Sequence, residues 1–204
     1  MAPFNAELER LLSEARKSPD DVDKQRALYE AAKMSADTDR FDEALTLARA
    51  IFHPELHTTM LAHISARLLS TGDWERSSKV FGEAVASADR VVKADNCPFV
   101  INLGMTAHML AQRGLHEKTL GPIRLSVHGY IQASLLYWTA AGLAVENHID
   151  KALEVANSIR DPLTRGRSFE NIAVMLKDRG QKERAADLMK EAKRLLKENA
   201  KGDD

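Results

Sequence analysis

The stretch that decides the fold is Leu61–Ala84, LAHISARLLSTGDWERSSKVFGEA. Leu61, Ile64, Ser65 and Leu68 recur at spacings of three and four, which places them on one face of a helix. Gly72 then breaks the pattern. Glycine readily takes the left-handed backbone conformation that ends a helix. Three residues later comes Glu75, where a carboxylate would meet the unpaired N–H groups and the positive dipole end of a new helix. Ser77, Phe81 and Ala84 carry a second stripe forward. The stretch reads as two helices joined at a corner.

That corner recurs along the chain. Asp39, Gly72, Gly114, Asn147 and Gly180 are spaced by 33, 42, 33 and 33 residues. Gly, Asn and Asp share tolerance of the left-handed conformation, so each anchor reads as the C-terminal cap of one helix. An acid stands three residues after each: Asp42, Glu75, Glu117, Asp150 and Glu183. Small residues stand five after (Ala44, Ser77, Thr119, Ala152, Ala185) and seven before (Ala32, Ser65, Ala107, Ala140, Ala173). Small residues at facing positions let two helices approach closely. A large apolar residue stands eleven before: Leu28, Leu61, Leu103, Leu136 and Phe169. Four before stand Leu68, Leu110, Leu143 and Leu176, with Ser35 in the first repeat. On the second helices, Phe81, Ile123 and Met189, then Ile51, Ala84, Ile159 and Ala192, supply the matching stripe. A period near 33 implies a stacked array of helix pairs, an architecture that binds macromolecules through an extended surface.

The pattern resembles the tetratricopeptide repeat: apolar residues and a small residue on the first helix, then Gly, then a small residue, an aromatic and a closing Pro. The stretch from Leu61 to Ala84 shows it best. Asp161-Pro162 and His53-Pro54 close the fourth and first repeats. The resemblance runs from about residue 24 to 199, with Leu replacing the family's Trp and Tyr in the first helix. It implies an all-α protein: an α-solenoid of about five antiparallel helix pairs wound as a right-handed superhelix, plus an N-terminal helix. The expected division is one domain over 1–204. Its parts are the N-terminal helix within 1–18, repeats at about 24–55, 58–90, 99–128, 132–162 and 165–199, and an insertion at 88–100. The first helices of such a solenoid line a concave face. The groove candidates on that face are Arg26, Tyr29, Lys33, His63, Met105, His108, Tyr137, Trp138, Arg167, Glu170 and Asn171. Chaperone-binding members of the family hold a carboxylate with Lys, Asn and Arg in this groove. The corresponding places here hold Tyr29, Ala62, Gly104 and Tyr137, so that activity is not implied.

Composition sets the outer bounds. The chain has 204 residues, 44% of them hydrophobic, enough for one short array with a real core. One cysteine, Cys97, cannot form an internal disulfide and fits a reducing compartment. No secretory pattern opens the chain, and the apolar stretch Ile131–Val145 is too short and too polar to span a membrane. A cytoplasmic protein is expected. Net charge is −1, which argues against nucleic acid as the main partner. Residues 1–43 nevertheless carry −4 and residues 177–201 carry +4, so a homo-oligomer joined through complementary ends stays open beside the expected protein or peptide partner.

Within the chain, a first helix is expected over about Pro3 to Arg16, with Phe4, Leu8, Leu11 and Leu12 on its apolar side. Ser18-Pro19-Asp20-Asp21 reads as a break and a new helix start. The insertion carries the turn Asp95-Asn96-Cys97-Pro98, with the preceding helix extending through Val91-Val92. His53-Pro-Glu-Leu-His57 has two histidines four apart, but the pattern fits a turn and helix start better than a metal site. No nucleophile motif, phosphate loop or paired-carboxylate motif occurs, so no catalytic residue and no cofactor is expected.

Overall fold

The computed structural model describes residues 6–11, 13, 21–91 and 98–199, all helix and short connection. Phe4, Leu12, Ser18–Asp20 and Cys97 lie outside the described residues. A short helix α1 covers residues 6–11. Ten helices follow: α2 Asp21–Asp37, α3 Phe41–Arg49, α4 Pro54–Ser70, α5 Trp74–Ala88, α6 Pro98–Gln112, α7 His116–Leu125, α8 Gly129–Val145, α9 Ile149–Asn157, α10 Pro162–Asp178 and α11 Lys182–Asn199. They pack as the antiparallel pairs α2·α3, α4·α5, α6·α7, α8·α9 and α10·α11. The chain forms two compact units, Met1–Val92 and Lys93–Asp204, whose boundary falls inside the 88–100 insertion.

Every anchor takes the backbone conformation its residue type suggested. Asp39, Gly72, Gly114, Asn147 and Gly180 have φ of 61°, 87°, 77°, 64° and 78°. The same bond closes each corner: the N–H after the anchor donates to the carbonyl four residues before it. The pairs are Arg40 to Ser35, Asp73 to Leu68, Leu115 to Leu110, His148 to Leu143 and Gln181 to Leu176, at 2.8–2.9 Å. This is the long bond of the helix C-cap with a left-handed residue. The next helix starts at once, with the repeated acid in its first turn. Its first backbone bond runs from the small residue five after the anchor back to the residue after the anchor.

The small residues sit where the paired helices cross. Ala32, Ala44, Ser65, Ser77, Ala107, Thr119, Ala140 and Ala152 are all fully buried. In the second pair the two serines lock reciprocally: Ser65 Oγ donates to the Ser77 carbonyl and Ser77 Oγ to the Ser65 carbonyl, both at 2.8 Å.

In the first unit, Leu8 and Leu11 of α1 pack on Ala31 of α2, with Met34 and Leu47 against them. The α2·α3 pair then meets α4. Asp42 pairs with Arg76, and Arg49 with Glu83 at 2.9 Å, across one repeat interval. One expectation fails here. Helix α5 stops at Ala88 rather than continuing through Val91: Asp89 caps it, and the Val91 N–H turns back to the Ala88 carbonyl at 3.0 Å. The Val91 side chain is thereby buried outside the helix.

In the second unit, α8 is the central helix and touches α6, α7, α9 and α10. That explains its composition. A helix flanked by four neighbours buries most of its circumference, so its apolar residues are not confined to one stripe, and Ile131, Leu135, Leu136, Thr139, Ala140, Leu143 and Ala144 of α8 are all buried. Gly142 lets α8 cross α6 closely: a Cβ there would stand 2.3 Å from the His108 carbonyl oxygen. Asp150 pairs with Arg184 at 2.8 Å, repeating the acid-to-arginine link seen between Asp42 and Arg76. No helix among the described residues is long and apolar enough to cross a membrane.

Candidate functional site

Two local devices aim a set of side chains into one opening between α8 and α10. At the start of α8, the Gln132 amide donates to the carbonyls of Ile123, Arg124 and Ser126 at 3.2–3.3 Å. This ties the first turn of α8 to the end of α7. Tyr130, Ser134, Tyr137 and Trp138 then follow at helical spacing on one side of α8. At the start of α10, Asp161 caps the helix by accepting from the Thr164 N–H at 2.7 Å, with Pro162 in the first turn. Thr164 and Arg167 are three apart and share a face. Tyr130, Ser134, Tyr137, Trp138, Thr164 and Arg167 line a cleft of about 260 Å³.

The aromatic side of the cleft is held in place. A Cβ on Gly104 of α6 would stand 2.2 Å from Trp138 Cδ1, so the indole rests against the bare backbone of the neighbouring first helix. Tyr137 meets Trp138 edge-on, with ring centres 5.7 Å apart and planes at 81°. His108 meets the indole edge-on from α6, at 6.1 Å and 85°. Edge-to-face contact is a favoured arrangement for such rings. Asn171 of α10 donates from Nδ2 to the Tyr137 hydroxyl at 3.3 Å. Burial pushes the His108 imidazole below its usual range, so it is neutral near pH 7.

Of the residues singled out from the sequence, Tyr137, Trp138 and Arg167 line this cleft, His108 abuts Trp138, and Asn171 bonds Tyr137. Met105 is exposed on α6 and Glu170 half-buried on α10, and neither lines the cleft. The four candidates of the first unit do not form a site of this kind. Lys33 borders a shallow opening of about 390 Å³ beside Glu7 and Arg10 of the N-terminal region. His63 Nε2 bonds Asp37 at 2.8 Å and so links α4 to α2. Tyr29 is half-buried, and burial first, then Glu30 and Asp37, raises its phenol above the usual range. Arg26 is exposed on α2. Sequence reasoning missed Tyr130, Ser134 and Thr164. Ser134 holds the same place relative to its anchor as Arg167, and Tyr130 and Thr164 lie one turn earlier.

A second constellation sits in the first unit, where Arg49, Ile51, Phe52, His57, Glu83, Ala86, Ser87 and Arg90 border an opening of about 580 Å³. Ser87 Oγ lies 2.7 Å from His57 Nδ1, which resembles a nucleophile beside a base. It is not arranged for that chemistry. Thr58 Oγ1 and the Arg90 guanidinium both donate to Ser87 Oγ, at 2.9 and 3.0 Å, so both lone pairs are engaged. His53 occupies the N-cap position of α4 with no side-chain bond to the helix, and the described residues hold no group of three potential metal ligands.

Comparison with known proteins gives the following matches. Residues 166–199 match the tetratricopeptide repeat. A structure described as the nearly identical TPR-like repeats of a kinesin light chain from Podosopora anserina is 11% identical, covers 87% of this chain and 97% of its own, and has a TM-score of 0.40. Ton1535 from Thermococcus onnurineus NA1 is 14% identical, covers 94% of this chain and 83% of its own, and has a TM-score of 0.33. No curated protein matches the chain.

Proposed function

We propose that this chain, a TPR-like helical-repeat protein, is an interaction scaffold that captures a segment of another protein in the cleft between α8 and α10. One observation carries the reading. Side chains from two successive repeats converge on a single opening, and its two packed aromatic rings are fixed by neighbours: Trp138 by Gly104 and Tyr137 by Asn171. Aromatic rings held on rigid helices lose little entropy when a partner binds, which makes them effective anchors. The mechanism is passive recognition by a preformed surface. Tyr137, Trp138 and Arg167 make the contacts, and His108 and Asn171 position the rings. Met105 and Glu170 extend the surface along α6 and α10. Arg26, Tyr29, Lys33 and His63 belong to a separate surface of the first unit.

A photoreactive residue at Ser134 tests this in cell extract, beside the same residue at Lys193 on the exposed side of α11. The expected result is a discrete adduct from Ser134 that disappears in the Tyr137→Ala/Trp138→Ala variant. No adduct from Ser134, or the same adducts from both positions, would remove the cleft as the docking site.

A further inference from the structure

The polar inventory of the cleft is one-sided. Arg167 is exposed and makes no hydrogen bond or ion pair with any described residue. Its guanidinium is permanently charged and presents a flat fork of donors. Tyr137 uses its oxygen as an acceptor for Asn171, so its O–H proton is free to be given outward. Ser134 and Thr164 add two hydroxyls. No carboxylate lines the opening. Glu170, one turn beyond Arg167 on α10, neither lines the cleft nor pairs with that arginine. The cleft therefore has surplus donors and an unbalanced positive charge on one wall, and aromatic surface from Tyr130, Tyr137 and Trp138 on the other.

We infer that the cleft recognises a peptide carboxylate: an extended segment in which Asp or Glu stands within about three residues of a large apolar side chain. This rests on the docking role proposed above. Arg167 takes the carboxylate through two parallel N–H bonds, and Tyr137 donates a third. The apolar side chain lies on the Tyr130 and Trp138 rings. The spacing follows from the helices. Packed helix axes lie about 8–10 Å apart, and an extended chain advances about 3.3 Å per residue, so two to three residues reach from the α10 wall to the α8 wall. One cation suits one carboxylate. It is a poor match for a nucleic acid, whose affinity comes from many phosphate contacts.

The test uses blocked ten-residue Gly/Ser peptides carrying one Leu and one Asp at separations of one to three, each with an Asn counterpart. The protein carries Trp74→Phe, which leaves Trp138 as the only indole, because the chain has two tryptophans. Affinity is read from Trp138 fluorescence. At least one Asp peptide should bind about tenfold or more tightly than its Asn partner, the effect of a hydrogen bond to a charged group. Arg167→Gln should bring the Asp-to-Asn affinity ratio close to one, and Arg167→Lys should keep part of it. Equal binding of Asp and Asn peptides, or a ratio that survives Arg167→Gln, overturns the carboxylate inference yet leaves the docking role standing. No binding by any peptide also overturns it, and the Ser134 adduct then decides the docking role by itself.

Discussion

Replacing Gly142 by Ala tests whether the α6–α8 crossing is as tight as described. The added Cβ would lie 2.3 Å from the His108 carbonyl oxygen, 3.0 Å from Ala111 Cβ and 3.1 Å from the His108 carbonyl carbon. The nearest obstacle is backbone inside a helix, so no rotamer change relieves it. Normal contact is near 3.5 Å, and α6 and α8 must part by about 1 Å. Overpacking of this kind costs about 1–3 kcal/mol or more. Against it stands the better helix propensity of Ala, worth about 1 kcal/mol. The steric cost wins because it spreads over a buried interface, and we expect a net loss of about 1–2 kcal/mol. For a chain of this size that lowers Tm by roughly 2–8 °C. Urea unfolding followed by Trp138 fluorescence in the Trp74→Phe protein reports on the second unit specifically. If Gly142→Ala proved as stable as wild type, the close crossing would be wrong.

Gly72→Ala meets no atom within 4 Å, yet its φ of +87° should cost about 1–2 kcal/mol, measured by the same unfolding in a Trp138→Phe protein that leaves Trp74 as reporter. Ser65→Ala should cost about 1 kcal/mol by removing one of the reciprocal bonds. The Ser65→Ala/Ser77→Ala double variant should cost less than the two singles combined, since three other repeats place Ala on Ala at this crossing; strict additivity in a double-mutant cycle would refute the reciprocal lock. Burial lowers the imidazoles of His57, His108 and His116 below their unfolded value near 6.5. The unfolded chain therefore binds more protons below that value, so stability should be full above about pH 7 and fall on acidification through the histidine range. A urea midpoint that stays flat between pH 7.5 and 5.5 would contradict this.

The corners were legible because their chemistry is local. A left-handed residue and an acid three later are dictated by backbone geometry at the corner itself, and all five anchors adopt positive φ. The burial of Leu61, Leu103 and Leu136 followed from helical spacing for the same reason. The cleft was only half legible. Tyr137 and Trp138 stood out as adjacent aromatics. What fixes them could not be read from a helix pattern, because Gly104 and Asn171 act across repeats, each 34 positions from its ring. His63 carries a contact that its register did not announce: a carboxylate on the neighbouring helix, Asp37, engages it.

Those cross-repeat contacts follow a rule that the register itself supplies. The residue ten before one anchor meets the residue nine before the next: Gly104 meets Trp138, and Tyr137 meets Asn171. The positions are equivalent, so α6 with α8 and α8 with α10 share one meeting place within the second unit, and residue identity decides what is built there. A glycine on one side admits an indole on the other. A tyrosine on one side is oriented by an asparagine on the other. The fourth repeat holds both roles at once, since Trp138 leans back on the third repeat and Tyr137 reaches forward to the fifth. That double engagement sets two aromatic rings beside the unpaired Arg167. It also makes Gly104→Ala a more selective change than Gly142→Ala. The obstacle at Gly104 is a side chain that can leave its seat rather than a backbone that cannot. The cost should therefore fall on the shape of the cleft, as a shift in Trp138 emission and weakened peptide binding, with global stability nearly unchanged.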